Sequence, residues 1–152
     1  MSTGPAYIVD VRRLEEFSAV ELYEMLKLRV DVFVVEQHCP YPELDGNDID
    51  CLHLRLIDGA DLLACARLWR PTPEHHPRIG RVAVSPNHRG KRLGEALMRE
   101  AIAEVEKRHP GEPIEISAQS HLQKFYGSLG FEVISEGYLE DEIPHVDMLR
   151  RG

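Results

Sequence analysis

A mixed sheet covered by helices, of the α/β (α+β) class, is predicted from three observations. Runs of strand character at 52–57, 62–69 and 79–84 follow one another, parted by a turn and then by a loop over 70–77 with three prolines. Two segments, one after Ser18 and one over 90–109, carry apolar residues at helical spacing. Strand-like runs then resume at 114–118, 131–134 and 145–149, with a short helical segment over 120–129 between the first two. With a strand at the start, the order is strand, helix, three strands, helix, strand, helix, two strands.

Residues 7–11 form the first strand-like run. Ser18 followed three residues later by Glu21 matches a capping box. Leu22, Met25, Leu26, Arg29, Val30 and Phe33 then recur at helical spacing. Residues 52–57 alternate around His53 and Arg55, and Asp58-Gly59 is a turn signal, so 62–69 should pair back as a hairpin. The run 79–84 closes at Ser85-Pro86. Over 90–109 Leu93, Leu97, Ala101 and Val105 lie every four residues, and Pro110-Gly111 ends the helix. Gly130 stops the short helix over 120–129.

The chain has 152 residues, with 18 Lys and Arg against 26 Asp and Glu, a formal net charge of −8. That length suits one domain over 1–152 with a core of its own. No apolar run reaches the roughly 18 residues of a membrane span, and residues 1–10 lack the pattern of a secretory signal. The acidic balance argues against a general nucleic-acid binder, which needs clustered positive charge. Cys39, Cys51 and Cys65 form no C-x-x-C pair and no even-numbered framework, so neither a disulfide scaffold nor a metal site is expected, and the location expected is cytoplasmic.

The sharpest motif runs from Val82, Ala83 and Val84 through Ser85-Pro86-Asn87-His88 to Arg89, Gly90, Lys91, Arg92, Leu93 and Gly94. It sets a strand, a tight turn and a helix start in succession. The first turn of a helix carries unpaired N–H groups and partial positive charge, which disfavours cations. Three cations crowded there point to an anion held between them and the amides, with a diphosphate the natural candidate. The alternative is a solvated basic turn. A G-x-x-x-x-G-K-[ST] phosphate loop is absent, since Glu95 follows Gly94, and so is G-x-G-x-x-G.

These residues resemble the GNAT family, the acetyl-CoA-dependent N-acetyltransferases. Arg89 and Gly94 match the ends of the family's [RQ]-x-x-G-x-[GA] signature, and Arg92 stands at its central glycine. A second block, N-x-x-A-x-x-[FL]-Y-x-x-x-G-F, is matched by Phe125, Tyr126, Gly130 and Phe131, with Gln119 at the Asn position and Leu122 at the Ala position. Arg29, the run 32–37, Cys39-Pro40-Tyr41, Glu43, Asp45-Gly46, His53, His121 and Ile143-Pro144-His145 are similar to the ElaA-type branch, and the likeness extends over nearly the whole chain. The resemblance implies a mixed, mostly antiparallel sheet of six to seven strands with helices on both faces, its fourth and fifth strands splayed. It also implies an acyl-CoA cosubstrate, acetyl-CoA in the first instance.

By the same resemblance, the amides of Val82–Val84 and of Arg89–Gly94 bind the coenzyme. Gln119 bonds its pantetheine arm, and Tyr126 is the general acid at its sulfur. A bulge in the fourth strand would be the structural sign. Glu36 and His145 are candidate bases, imidazole because it takes a proton near neutral pH; a water chain is the alternative. Tyr41, Glu43, Asp45 and Asp48 form an acidic loop, read either as an attractor for a cationic amine or as a solvated face. No cysteine falls in either block, which favours direct attack of an amine in a ternary complex. The partners expected are the acyl-CoA and an amine acceptor, with neither nucleic acid nor membrane; a homodimer is the assembly left open. The competing readings are a non-catalytic acyl-CoA sensor or partner module, and a nucleotide at the Arg89–Gly94 turn.

Overall fold

Gly59, at φ +59°, lets the chain reverse in a two-residue turn, so that Asp58 and Asp61 face each other across it. This hairpin joins β2 (Cys51–Asp58) to β3 (Asp61–Trp69) and is the centre of an antiparallel meander, with β1 (Ile8–Arg13) on one side and β4 (Arg78–Val84) on the other. The computed structural model describes residues 6–152; residues 1–5, half of the segment read for a secretory signal, lie outside the described residues. Beyond β4 the sheet continues through β5 (Ile114–Gln119), which is parallel to it, to β8 (Ile143–Arg150), antiparallel to β5. The far edge of β8 is shared by β6 (Glu132–Val133) and β7 (Tyr138–Glu140).

Eight strands therefore stand where six or seven were expected. The strand missed by sequence is β7. Asp141 and Glu142, both at positive φ, join it to β8. A type I′ turn needs that conformation and is normally announced by Asn or Gly; an Asp-Glu pair gives no such signal.

Helix α1 (Ala19–Val30) begins as expected: Ser18 Oγ accepts from the Glu21 N–H at 3.1 Å, and the Glu21 carboxylate accepts from the Ser18 N–H at 2.9 Å. Its last turns widen into a π-helix over Asp31–Glu36. Helix α2 (Leu93–Arg108) starts three residues later than predicted. Gly90 at φ +82° and Arg92 at φ +56° are both left-handed, so the chain turns twice before the helix begins. The segment 120–129 divides into a 3-10 turn over Ser120–Leu122 and a short α3 (Gln123–Ser128).

The helices cover both faces. On one face Leu97, Met98, Ala101 and Val105 of α2 pack on Leu54, Leu56, Ala64 and Ala66. On the other, Met25 and Leu28 of α1 meet Phe17, Cys65 and Ala83. Alternation along the strands delivers these two sets. No helix among the described residues is long and apolar enough to cross a membrane.

Candidate active site

The parting of β4 from β5 creates the site. Their pairing consists of Arg78 against Glu115, reinforced by the Glu115 N–H donating to Pro77 O at 2.9 Å. Beyond it the strands diverge, and the cause lies in β4. Gly80 pairs with Arg67 and Ala83 with Cys65, so Arg81 and Val82 together oppose Ala66 alone. This is a bulge, and Arg81 adopts φ +50° to make it. A bulge bends its strand and interrupts the ladder. Further along, the Ser85 N–H donates to Leu63 O across β3 at 2.8 Å. Alternation then turns the Val84 N–H to the opposite edge, towards the gap.

A cavity of about 180 Å³ lies in this gap. Ile79–Val82 of β4, Ser117 and Gln119 of β5, Tyr126 of α3 and His145 of β8 line it, closed by the 32–43 segment and the β7–β8 turn. Val82, Gln119, Tyr126 and His145, four of the residues expected from sequence, are thus brought to one place.

Tyr126 is 9% exposed, set edge-on to Phe125 and Phe131. Burial pushes its phenol above the ordinary value, so it stays protonated at neutral pH and can donate. His145 is held on three sides. Its Nδ1–H donates to Ile143 O at 2.7 Å, its ring stacks on Tyr138 at 6.1 Å, and Glu140 stands 3.3 Å from Nε2. Because a carbonyl only accepts, the proton of the neutral ring sits on Nδ1 and the lone pair on Nε2. Tyr138 is itself fixed by donating to Asp147 at 2.6 Å and by a contact with Ser117 Oγ; burial, then the Asp147 bond, push its pKa up to about 12. Cys39 also lines the cavity, with its thiol directed at the carbonyl oxygens of Gln37 and Asp141 at 3.5 and 3.8 Å.

The remaining expected residues lie outside the cavity lining. Ala83 is buried in the core under α1, and the Leu93 side chain is buried under the sheet. The Arg89–Gly94 loop runs from β4 to α2 with Arg89, Gly90, Lys91 and Arg92 exposed, and open space lies beside Gly90 where a Cβ would be. Glu36 is not in the cavity. Its carboxylate takes both ends of the Arg89 fork, at 2.6 and 2.7 Å, and that guanidinium holds it below the usual carboxylate range. His121 is exposed; His53 is 1% exposed and donates from Nε2 to Asp48 O at 2.9 Å, a structural role.

The acidic loop proves to be neutralised from within. Glu43 accepts from Arg29 Nε at 2.8 Å, Asp48 from Arg29 at 2.7 Å and from Arg67 at 3.1 Å, and Asp45 from Arg67 at 2.9 Å. Against burial, which opposes ionisation, Arg67 and the Asn47 N–H hold Asp45 low, and Arg29 with Arg67 holds Asp48 low. Glu43 and Asp48 are buried, so this loop is a brace for α1 rather than an open lure for cations. Arg81, Glu140 and Asp141 were missed as site residues. Arg81 sits in a run that reads as plain strand, and the two acids belong to the turn without a turn signature.

Residues 58–151 match the family model described as an acetyltransferase (GNAT) domain. The protein ElaA of Escherichia coli (strain K12) is 42% identical over 138 residues, covering 89% of this chain and 90% of ElaA. The crystal structure of an acyl-CoA N-acyltransferase from Pseudomonas aeruginosa is 42% identical and superposes with a TM-score of 0.90, covering 95% of this chain and 99% of that one. The crystal structure of Escherichia coli ElaA gives a TM-score of 0.88 at 37% identity over 96% of this chain and all of the other. With a bulged fourth strand parted from the fifth and relatives that match along nearly the whole chain, this protein belongs to the GNAT acetyltransferase family, in the branch that contains ElaA.

Proposed function

We propose that the chain is an acyl-CoA-dependent N-acyltransferase that moves an acetyl group from acetyl-CoA to a primary amine by direct attack in a ternary complex. The observation that carries this reading is the opened β4 edge at Arg81–Val84, facing Gln119, Tyr126 and His145 across the gap. Two strand edges parted over this length suit an arm that carries amides of its own. Open space beside Gly90 suits the close approach of a phosphate to backbone N–H groups. The coenzyme supplies an activated acyl thioester.

The chain's residues then divide the work. Arg89 and the amides from Gly90 to Gly94 hold the diphosphate, with Lys91 and Arg92 beside them. Gln119 and the Val82 and Val84 amides align the arm, and the β4 amides polarise the acyl carbonyl, the role of an oxyanion hole. His145 Nε2 takes the proton from the attacking amine as the C–N bond forms. Tyr126 O–H gives its proton to the departing sulfur as the C–S bond breaks. His145 rather than Glu36 takes the base role here, because Glu36 is engaged by Arg89 outside the cavity.

The test is release of free thiol from acetyl-CoA in the presence of an amine panel. Tyr126→Phe should slow turnover about 100-fold, the lower end of what a positioned acid contributes, while calorimetry still detects CoA. Equal rates for Tyr126→Phe and wild type would remove Tyr126 from the chemistry. A rise in thermal stability with acetyl-CoA and no turnover with any amine would favour the sensor reading instead.

A further inference from the structure

Arg81 is the most unusual side chain at the cavity. Its backbone takes φ +50°, which a non-glycine residue adopts at a cost, to make the β4 bulge. Its guanidinium lies over the Phe33 ring at 5.4 Å. Its Nε is buried 3.0 Å from Glu43 Oε2 but misaligned, and has no hydrogen-bond partner among the described residues. Glu43 gives that same oxygen to Arg29 Nε at 2.8 Å, a closer and well-aligned bond. The Arg81 terminal nitrogens bond to nothing among the described residues, although the side chain is only 27% exposed. A planar fork of donors, stacked on an aromatic ring and lacking an acceptor, is built for a carboxylate.

The opposite rim carries the other sign. Glu140 and Asp141 line the cavity from the β7–β8 turn, with Glu140 beside His145. Beneath the cavity the charges of Arg29, Arg67 and Arg81 are matched by Glu43, Asp45 and Asp48. A ligand that brought only positive charge would leave the Arg81 donors without an acceptor, and one that brought only negative charge would meet the acidic rim. We infer that the acceptor is an amino acid or similar aminocarboxylate, its carboxylate gripped by Arg81 and its amino group presented between Glu140 and His145. A polyamine carries no acceptor for the Arg81 terminal donors and is the poorer ligand.

This inference rests on the acyltransferase reading and names its acceptor class. In the reaction it specifies, the bound ammonium first gives one proton to solvent, and the free amine then loses a second to His145 Nε2 as its nitrogen bonds to the acyl carbon. The sulfur leaves with the Tyr126 proton, and the carboxylate stays untouched on Arg81.

The experiment compares L-amino acids with the matched decarboxylated amines and amino-acid amides, with spermidine as a further probe, by thiol release from acetyl-CoA. At least one amino acid should exceed its decarboxylated partner and its amide in kcat/KM by about tenfold or more, as expected when a site's donors are left unpaired by the analogue. Arg81→Gln should collapse that ratio towards one, and Arg81→Lys should restore part of it. In parallel, calorimetry with the CoA-loaded protein measures amino-acid binding against the same amines. Carboxylate-dependent binding without turnover would support the inference while sinking the enzymatic reading. Amines or spermidine that bind and react as well as the amino acids would overturn it, as would absence of any carboxylate-dependent binding or rate. The wild-type comparison decides the matter even if the Arg81 variants fail to fold.

Discussion

Arg89 and Glu36 show how one contact can reassign two residues. Each was expected to meet the ligand, Arg89 its phosphates and Glu36 its amine; in the structure they meet each other. Both side chains are more than two-fifths exposed, so the pair adds little to stability. If Arg89 holds the diphosphate as proposed, the pair's effect falls on binding, since a phosphate must compete with a carboxylate already seated in the fork. The two substitutions should therefore act in opposite directions. Arg89→Ala should weaken CoA binding by about tenfold, the loss of one charge-assisted hydrogen-bonding site. Glu36→Gln should tighten it a few-fold. Neither should move the thermal midpoint of the free protein by more than about 2 °C. Calorimetry at two salt concentrations checks this, and weakening by both substitutions would make Glu36 a positioning group rather than a competitor.

At the scale of elements, α1 depends on ions for its attachment. Its apolar residues Met25 and Leu28 seat its central turns, but Arg29, near its end, is 1% exposed and anchors the 43–48 loop through Glu43 and Asp48. The helical spacing that placed Arg29 among apolar residues was correct about the face and silent about the partner. Arg29→Ala would leave two carboxylates in the interior with fewer donors. Removing one side of a buried ion pair costs about 3–5 kcal/mol, so the urea midpoint should drop steeply. The acidic loop should also become protease-sensitive while α2 keeps its protection. A shift under about 1 kcal/mol, the range of exposed pairs, would mean that the loop is held by other contacts. On the far side Arg55 plays a similar part, bonding Asp10 of β1 at 2.8 Å and Glu21 of α1 at 3.2 Å while covering Phe17. These elements are tied through arginine forks as much as through apolar packing.

For the molecule as a whole, these buried groups set the response to acid. His53 is pushed below its ordinary value of 6.5, first by burial, so the unfolded chain binds that proton more readily than the folded one. The stability it contributes is complete above about 6.5 and is lost as pH falls through the folded value. Asp45 and Asp48 are likewise held below their ordinary 3.8; their contribution is complete above that value and is lost as they protonate in the fold. Stability should therefore decline in two stages, beginning below pH 6.5 and again below about 4. His53→Gln should remove the first stage in urea titrations across pH 7 to 3; an unchanged profile would assign that stage elsewhere. Periodicity along the chain made most strands, the α1 cap and the α2 face legible, because each is a local pattern of side chains against solvent. The motif blocks likewise singled out Gln119 and Tyr126, which the structure sets in the cavity lining. The placing of the expected β4 bulge at Arg81, the Glu36–Arg89 pairing and the neutralised acidic loop were not legible. Each depends on which distant charge arrives opposite, and on a backbone angle that no neighbouring residue signals. Sequence alone determined the family and the order of elements, since these follow from local preference and motif spacing. Only the tertiary structure decided which charges are spent on holding the fold and which remain free to face a ligand, because that balance exists only after the chain has closed.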